Sequence, residues 1–431
     1  MAKSIIGDGG ESQSPVDHPG VRWRRIPILS TMNILRSLFH ACMRPTRSGS
    51  HLPDPVLIYL GLSAVAVIVA ALLLLLFTDP SPPAVAHLVF AVGIMPLIFA
   101  AITHFIPVLT RSGRAQRILL LAPLLLQLAG GVTFLAFSGE TTAGALPQAA
   151  TGTLLIALAF AGWLVLRARR TLGRPHPGWR WYLVAIVFLS LALMLVPAMS
   201  WWPEWRPEMR LLHLHLNALG FIGLSALGTL QVLLPTTLGE PDADAAARLR
   251  CDLLPVVVAV LAMAIGAAFA LPLAMAGGVL CLAVALDTGA SWLRRYRWQR
   301  LIGDGTAALV AALSGFLLLL LFGMAHGLRI IDGRDSVPAF VVAFLLPLVT
   351  GALSQLLPVW CHPGRRTPSR DRMHAALRKG GALRALLFVS GGGLLGLGFS
   401  QGVWFAAAGA LSFMLALLRS LPLSEESGNS S

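Results

Sequence analysis

The sequence predicts an all-α, polytopic membrane protein of about twelve transmembrane helices in three pseudo-symmetric four-helix units, and three observations carry that reading. Apolar residues make up 56% of the 431 and charged residues only 12%, with a mean hydropathy of +0.76; a soluble domain carries about a quarter charged residues. Apolar runs of about 20 residues, the length that crosses a hydrocarbon core, recur at a steady pitch. Basic residues collect in the loops between alternate runs, as orientation in a membrane requires. A soluble cytosolic enzyme and a disordered chain are thereby excluded. A disulfide scaffold is excluded too, because Cys42, Cys251, Cys281 and Cys361 show no framework spacing.

Residues 1–54 read as a basic cytoplasmic tail without a signal-peptide core. Within it, Arg24–Met43 alternates basic and apolar residues, the pattern of a short helix in the headgroup layer. The transmembrane domain covers 55–421, with expected spans 55–78, 83–110, 116–138, 145–167, 180–200, 210–235, 253–273, 274–293, 306–327, 337–360, 382–400 and 402–421. Residues 422–431 form a second cytoplasmic tail.

The formal charge of +14 does not indicate nucleic acid, because no segment is long enough for a soluble DNA-binding fold. All basic residues but Lys3 and Lys379 are arginine, and they sit in the tail, around Arg111–Arg117, Arg167–Arg180 and Arg294–Arg297, and in Arg365–Lys379. With twelve spans these loops share one side, so both termini are expected in the cytoplasm. The acid-rich stretch Glu240–Asp252 dissents, but acids count little in this rule. The opposite side has short loops, a Gly-rich turn near Gly277, and Trp201, Trp202 and Trp205 as an interfacial belt. Arginine-rich, lysine-poor usage suggests a GC-rich bacterium and its inner membrane. The lipid bilayer is the first partner.

Three spans close on one phrase: MPLIFAAITHFIP (95–107), GLSALGTLQVLLP (223–235) and LPLVTGALSQLLP (346–358). Aligning Pro107, Pro235 and Pro358 places Pro96, Leu224 and Pro347 together, and Ala100, Gly228 and Gly351 together. These are spans two, six and ten, so the repeat is four helices, with units of about 55–167, 180–293 and 306–421. Twenty residues before the closing prolines stand His87, His215 and Pro338.

Chemistry enters there. His87, His213, His215 and His326 share one membrane depth near the outer face in the expected topology. Neutral imidazole suits haem iron and copper, and an ionisable residue inside a membrane is a functional candidate. His213 and His215, at i and i+2, point about 200° apart on a helix and cannot both face one metal. The plainer reading of a membrane histidine is an interhelical hydrogen bond, and it holds most readily for His104 near the cytoplasmic face. Asn217 is a candidate to orient an imidazole. Arg210 and Arg329 are candidates for haem propionates, or for ordinary snorkelling. The CHPGRR loop makes no zinc site, and Gly391–Gly393 reads as a packing feature.

At these residues the chain resembles the catalytic subunit of the haem–copper oxidase superfamily, as a divergent or degenerate member, and is distantly similar to NnrS-type proteins of nitric-oxide response. Ala86-His87, Met95-Pro96, Pro107 and Gly113 match landmarks of that family's second helix, and HLHLNALGF supplies the second point of likeness. The resemblance implies twelve helices in three groups of four, haem or copper near the outer face, and His87 as a haem ligand. His87 and His215 are the expected metal ligands, with His213, His326, Arg210 and Arg329 around the cofactor. The family's histidine pairs on the seventh and tenth helices are missing, so a terminal oxidase or nitric oxide reductase is not expected. What is implied is a non-pumping inner-membrane protein of respiratory, nitrogen-oxide or metal metabolism, served by an electron-transfer or assembly partner. A twelve-span permease and a cofactor-free assembly or scaffold protein remain the alternatives.

Overall fold

The computed structural model describes residues 54–420 apart from 79, 114, 172, 334 and 335. The expected interfacial helix Arg24–Met43 and the tail 422–431 lie outside the described residues.

Helices follow one another in chain order: α1 (Pro55–Phe77), α2 (Pro82–Leu109), α3 (Ile118–Phe137), α4 (Ala145–Arg169), α5 (Gly178–Trp201), α6 (Pro203–Leu238), α7 (Ala245–Phe269), α8 (Leu271–Arg295), α9 (Ala307–Gly327) and α10 (Ser336–Cys361). A short α11 (Pro368–Arg378) leads to α12 (Gly381–Gly396) and α13 (Gly402–Ser420). Eleven of these are long and apolar enough to cross a membrane, and no strand occurs among the described residues. The segment expected as span 382–400 is α12, whose 16 residues reach only about 24 Å at 1.5 Å each. Local chemistry sets the starts. Asp54 accepts from Leu57 N ahead of Pro55, and Ser81 accepts from Ala84 N ahead of Pro82 and Pro83; a capping oxygen followed by proline is a favoured helix start.

Three helices form the inside of the bundle. In α6, 78% of the most apolar stretch is buried, in α10 72% and in α2 56%, while no other spanning helix exceeds 50%. They meet through aromatic rings, Phe99 against Phe221 and Phe90 against Phe340. Each also switches to π-helix near its start: Leu88–Ile94 in α2, Leu216–Gly223 in α6 and Phe340–Leu345 in α10. An α-helical stretch then runs through the closing Pro107, Pro235 or Pro358. Such wide turns are rare and cluster at functional sites.

Neighbouring helices accommodate these stretches. Pro96 has no N–H for the Val92 carbonyl one turn back; the Gln127 side chain of α3 donates to that carbonyl instead, at 3.2 Å. Gly130 of α3 lies so close to the Ala91 carbonyl, and Gly315 of α9 to the Ala343 carbonyl, that a Cβ at either would collide with backbone.

The structure corrects three boundaries. The reversal between α7 and α8 is at Ala270, in extended conformation with φ −155° and ψ 93° before Pro272, and not near Gly277. Gly277 lies inside α8, where a Cβ would meet the Ala259 carbonyl at 2.6 Å; it is a close-packing residue. The segments expected at 253–273 and 274–293 are therefore α7 and α8, and α7 begins at Ala245, so Asp252 belongs to a helix. The segment Trp201–Arg210, expected as an outer loop, is largely helical, because α6 starts at Pro203.

Three of the four dissenting acids, Glu240, Asp242 and Asp244, are matched by arginines, whereas one buried carboxylate oxygen of Asp252 has no hydrogen-bond partner among the described residues. Asp242 is paired with Arg248 at 2.5 Å and Arg295 at 3.5 Å, Asp244 faces Arg295 at 3.8 Å, and Arg300 pairs with Glu240. Burial pushes the Asp242 carboxyl up, but the hydrogen bonds from Arg248 and Asp244 N and the charges of Arg248 and Arg295 outweigh it and hold it below the usual aspartate value. These acids neutralise local arginines, which is why they leave the charge pattern of the loops intact.

Candidate imidazole site

The histidines near the starts of α2 and α6 are placed by the same local device. His87 immediately precedes the π stretch of α2, and its Nδ1 donates to the Pro83 carbonyl of its own helix at 2.8 Å. His215 immediately precedes the π stretch of α6, and its Nδ1 donates to the Leu211 carbonyl at 2.8 Å. Both acceptors lie four residues back. His213 reaches across to α5, where its Nδ1 donates to the Ala192 carbonyl at 2.9 Å.

A carbonyl only accepts, so each Nδ1 carries a proton, and in its neutral form each ring presents its lone pair at Nε2. None of the three Nε2 atoms has a hydrogen-bond partner among the described residues. A backbone carbonyl on one ring nitrogen and a free lone pair on the other is the outer-shell arrangement of metal-binding histidines.

The i, i+2 divergence holds. His213 turns toward His87, the rings 6.5 Å apart between centroids and 25° from parallel, with Phe137 stacked on the other side of His87 at 4.5 Å. His215 makes no ring contact with either of these histidines and lies within electrostatic range of His326. The structure thus brings His87 into ring contact with His213, while no ring contact joins His87 to His215 or His215 to His326. His326 is exposed at the end of α9, its Nδ1 3.4 Å from the Ile331 carbonyl, and Gly333 packs against its ring too closely to admit a Cβ.

Other expected residues fall differently. Asn217 does not orient a ring; its Nδ2 donates to the His213 backbone carbonyl at 2.8 Å. Arg210 and Arg329 are exposed and make no hydrogen bond or ion pair among the described residues. Arg329 holds φ +60°, the left-handed position after α9 that favours glycine. His104 lies between the rings of Phe105 and Trp360, away from the other histidines. No group of three or more His, Cys, Asp or Glu side chains among the described residues has metal-site geometry, so any metal here would rest on pairs of imidazoles.

Between α2, α6 and α10, with Tyr182 of α5, lies a partly open cavity of about 80 Å³. Ile94, Ile222 and Leu345 form part of its wall, and the lining residues with polar side-chain atoms are Tyr182, Ser225, Thr229 and Trp360. Tyr182 Oη and Thr229 Oγ1 are 2.8 Å apart, while the buried Ser225 Oγ has no partner. Sequence reasoning missed Gln127, Phe137 and the three carbonyls that fix the rings. A backbone carbonyl has no signature in sequence, and its availability depends on which helix arrives beside it.

Neither a family model nor a curated protein matches this chain.

Proposed function

We propose that this is a bacterial inner-membrane protein that holds haem or copper on imidazoles near its outer face and acts, without pumping protons, in respiratory, nitrogen-oxide or metal metabolism. The carrying observation is the set of three neutral rings whose Nδ1–H is bound to a carbonyl and whose Nε2 is left without a protein partner. The rings of His87 and His213, with centroids 6.5 Å apart, would be the ones to hold such a metal. The residues fit an ion or haem iron held by His87 and His213, with His215 and His326 as a second pair; the bound group would supply the redox chemistry. This assignment replaces the His87 and His215 ligand pair expected from the sequence.

The matching π stretches of α2, α6 and α10 support three four-helix units, with α12 as the twelfth crossing. Arginine-rich loops support cytoplasmic termini. The apolar wall of the central cavity favours a metal centre over a permease for hydrophilic solutes, whose sites gather polar groups at mid-membrane.

The test is a reduced-minus-oxidised absorption spectrum with metal analysis on detergent-purified protein from cells supplied with haem and copper. A Soret band lost in His87→Ala establishes haem, and copper without a Soret band establishes a copper centre. Colourless, metal-free protein overturns the proposal and leaves the scaffold reading.

A further inference from the structure

At the end of α10 opposite the histidines, positive charge is gathered beyond what the fold can balance. On α11, Arg370, His374 and Arg378 follow at i, i+4 and i+8, one stripe of the helix. Arg366 and Arg372 flank the stripe, and His362, just past α10, is near Arg370 and Arg372. Of the nearby carboxylates, Asp371 is taken by Arg366 at 2.6 Å and Asp304 accepts from Gly380 N and Ala382 N. The other partners are neutral: Arg378 binds Gln355 Oε1 at 2.6 Å, Arg370 the Gly364 carbonyl and Arg372 the Ser369 hydroxyl, both at 3.4 Å. Two buried nitrogens, His362 Nδ1 and Arg378 Nε, have no hydrogen-bond partner among the described residues. The local potential is visible in His374, which burial and the charges of Arg378, Arg370 and Arg366 hold at about 4, against a smaller opposing pull from Asp371.

We propose that this cluster binds the phosphodiester of an anionic phospholipid headgroup. Guanidinium groups match phosphate oxygens in charge and geometry, and basic pockets beside transmembrane helices hold such headgroups. Two features favour a lipid over free phosphate. The apolar stripe of α11, Met373 and Leu377, is buried against the bundle, which fixes the cations at the ends of the spanning helices. Next along the chain, α12 exposes Leu383 and Leu386, 60% and 64% accessible, as apolar surface for acyl chains.

The experiment measures the thermal transition of the purified full chain in neutral detergent after adding phosphatidylglycerol, phosphatidylcholine or inorganic phosphate, with the His374 titration followed by NMR. Phosphatidylglycerol is expected to raise the transition and to shift the His374 midpoint upward, and the other two additions to do neither. Arg370→Gln/Arg372→Gln should lose the response, with binding about tenfold weaker. Without lipid that variant should be as stable as the parent, since it relieves repulsion; this separates lost binding from misfolding. Equal responses to the two lipids, a full response in the variant, or stabilisation by phosphate alone would overturn the proposal.

Discussion

The inner helices α2 and α6 differ from α10 in one instructive respect. All three pass from an opening turn through a π stretch to a helix with a closing proline. In α2 and α6 the residue before the π stretch is a histidine bonded to the carbonyl four residues back, whereas in α10 it is Ala339, preceded by Pro338. The wide turn therefore forms without an imidazole. Backbone fit to neighbouring helices makes the turn, and the histidines are additions that the scaffold does not require.

That contrast can be broken or sharpened by substitution. The largest effect belongs to the scaffold: Gly315→Ala drives a methyl into the Ala343 carbonyl of α10 and should cost about 3 kcal/mol, read by unfolding in detergent. Gln127→Leu should cost about 1 kcal/mol by removing the donor to the carbonyl of half-buried Val92. His87→Leu should change stability by less than about 1 kcal/mol, because the lost bond goes to a carbonyl within its own helix. A loss of several kcal/mol there would make the histidine structural and undo the contrast.

Acid should act at the other end of the bundle. His374, held at about 4 against an ordinary 6.5, binds fewer protons folded than unfolded. Its contribution is full above 6.5 and is lost as pH falls toward 4. Asp242, held below its ordinary 3.8, contributes above that value and loses its contribution as pH falls through its lowered one. Unfolding free energy measured against pH should fall in two steps, and His374→Gln should remove only the upper one.

Much of this was legible in the sequence for identifiable reasons. Apolar run length marks helices directly because lipid leaves no other way to satisfy the backbone, and the aligned prolines picked out the three inner helices. The divergence of His213 and His215 followed from helical geometry alone. The wrong turn at Gly277 shows where such reading fails: in lipid, glycine marks close helix packing as readily as reversal. Asp252 was assigned to a loop because its acidic neighbours masked the start of α7. The pairing of His213 with His87 depends on how two distant helices meet, which no local pattern encodes.

The most direct test is the bound metal and haem per protein chain in His87→Ala, His213→Ala and His104→Ala, each against the parent. The account predicts that His87→Ala and His213→Ala lose the same centre to the same extent, since they share it, while His104→Ala retains it. Full occupancy in His213→Ala, or equal loss in all three, would contradict a centre held between α2 and α6.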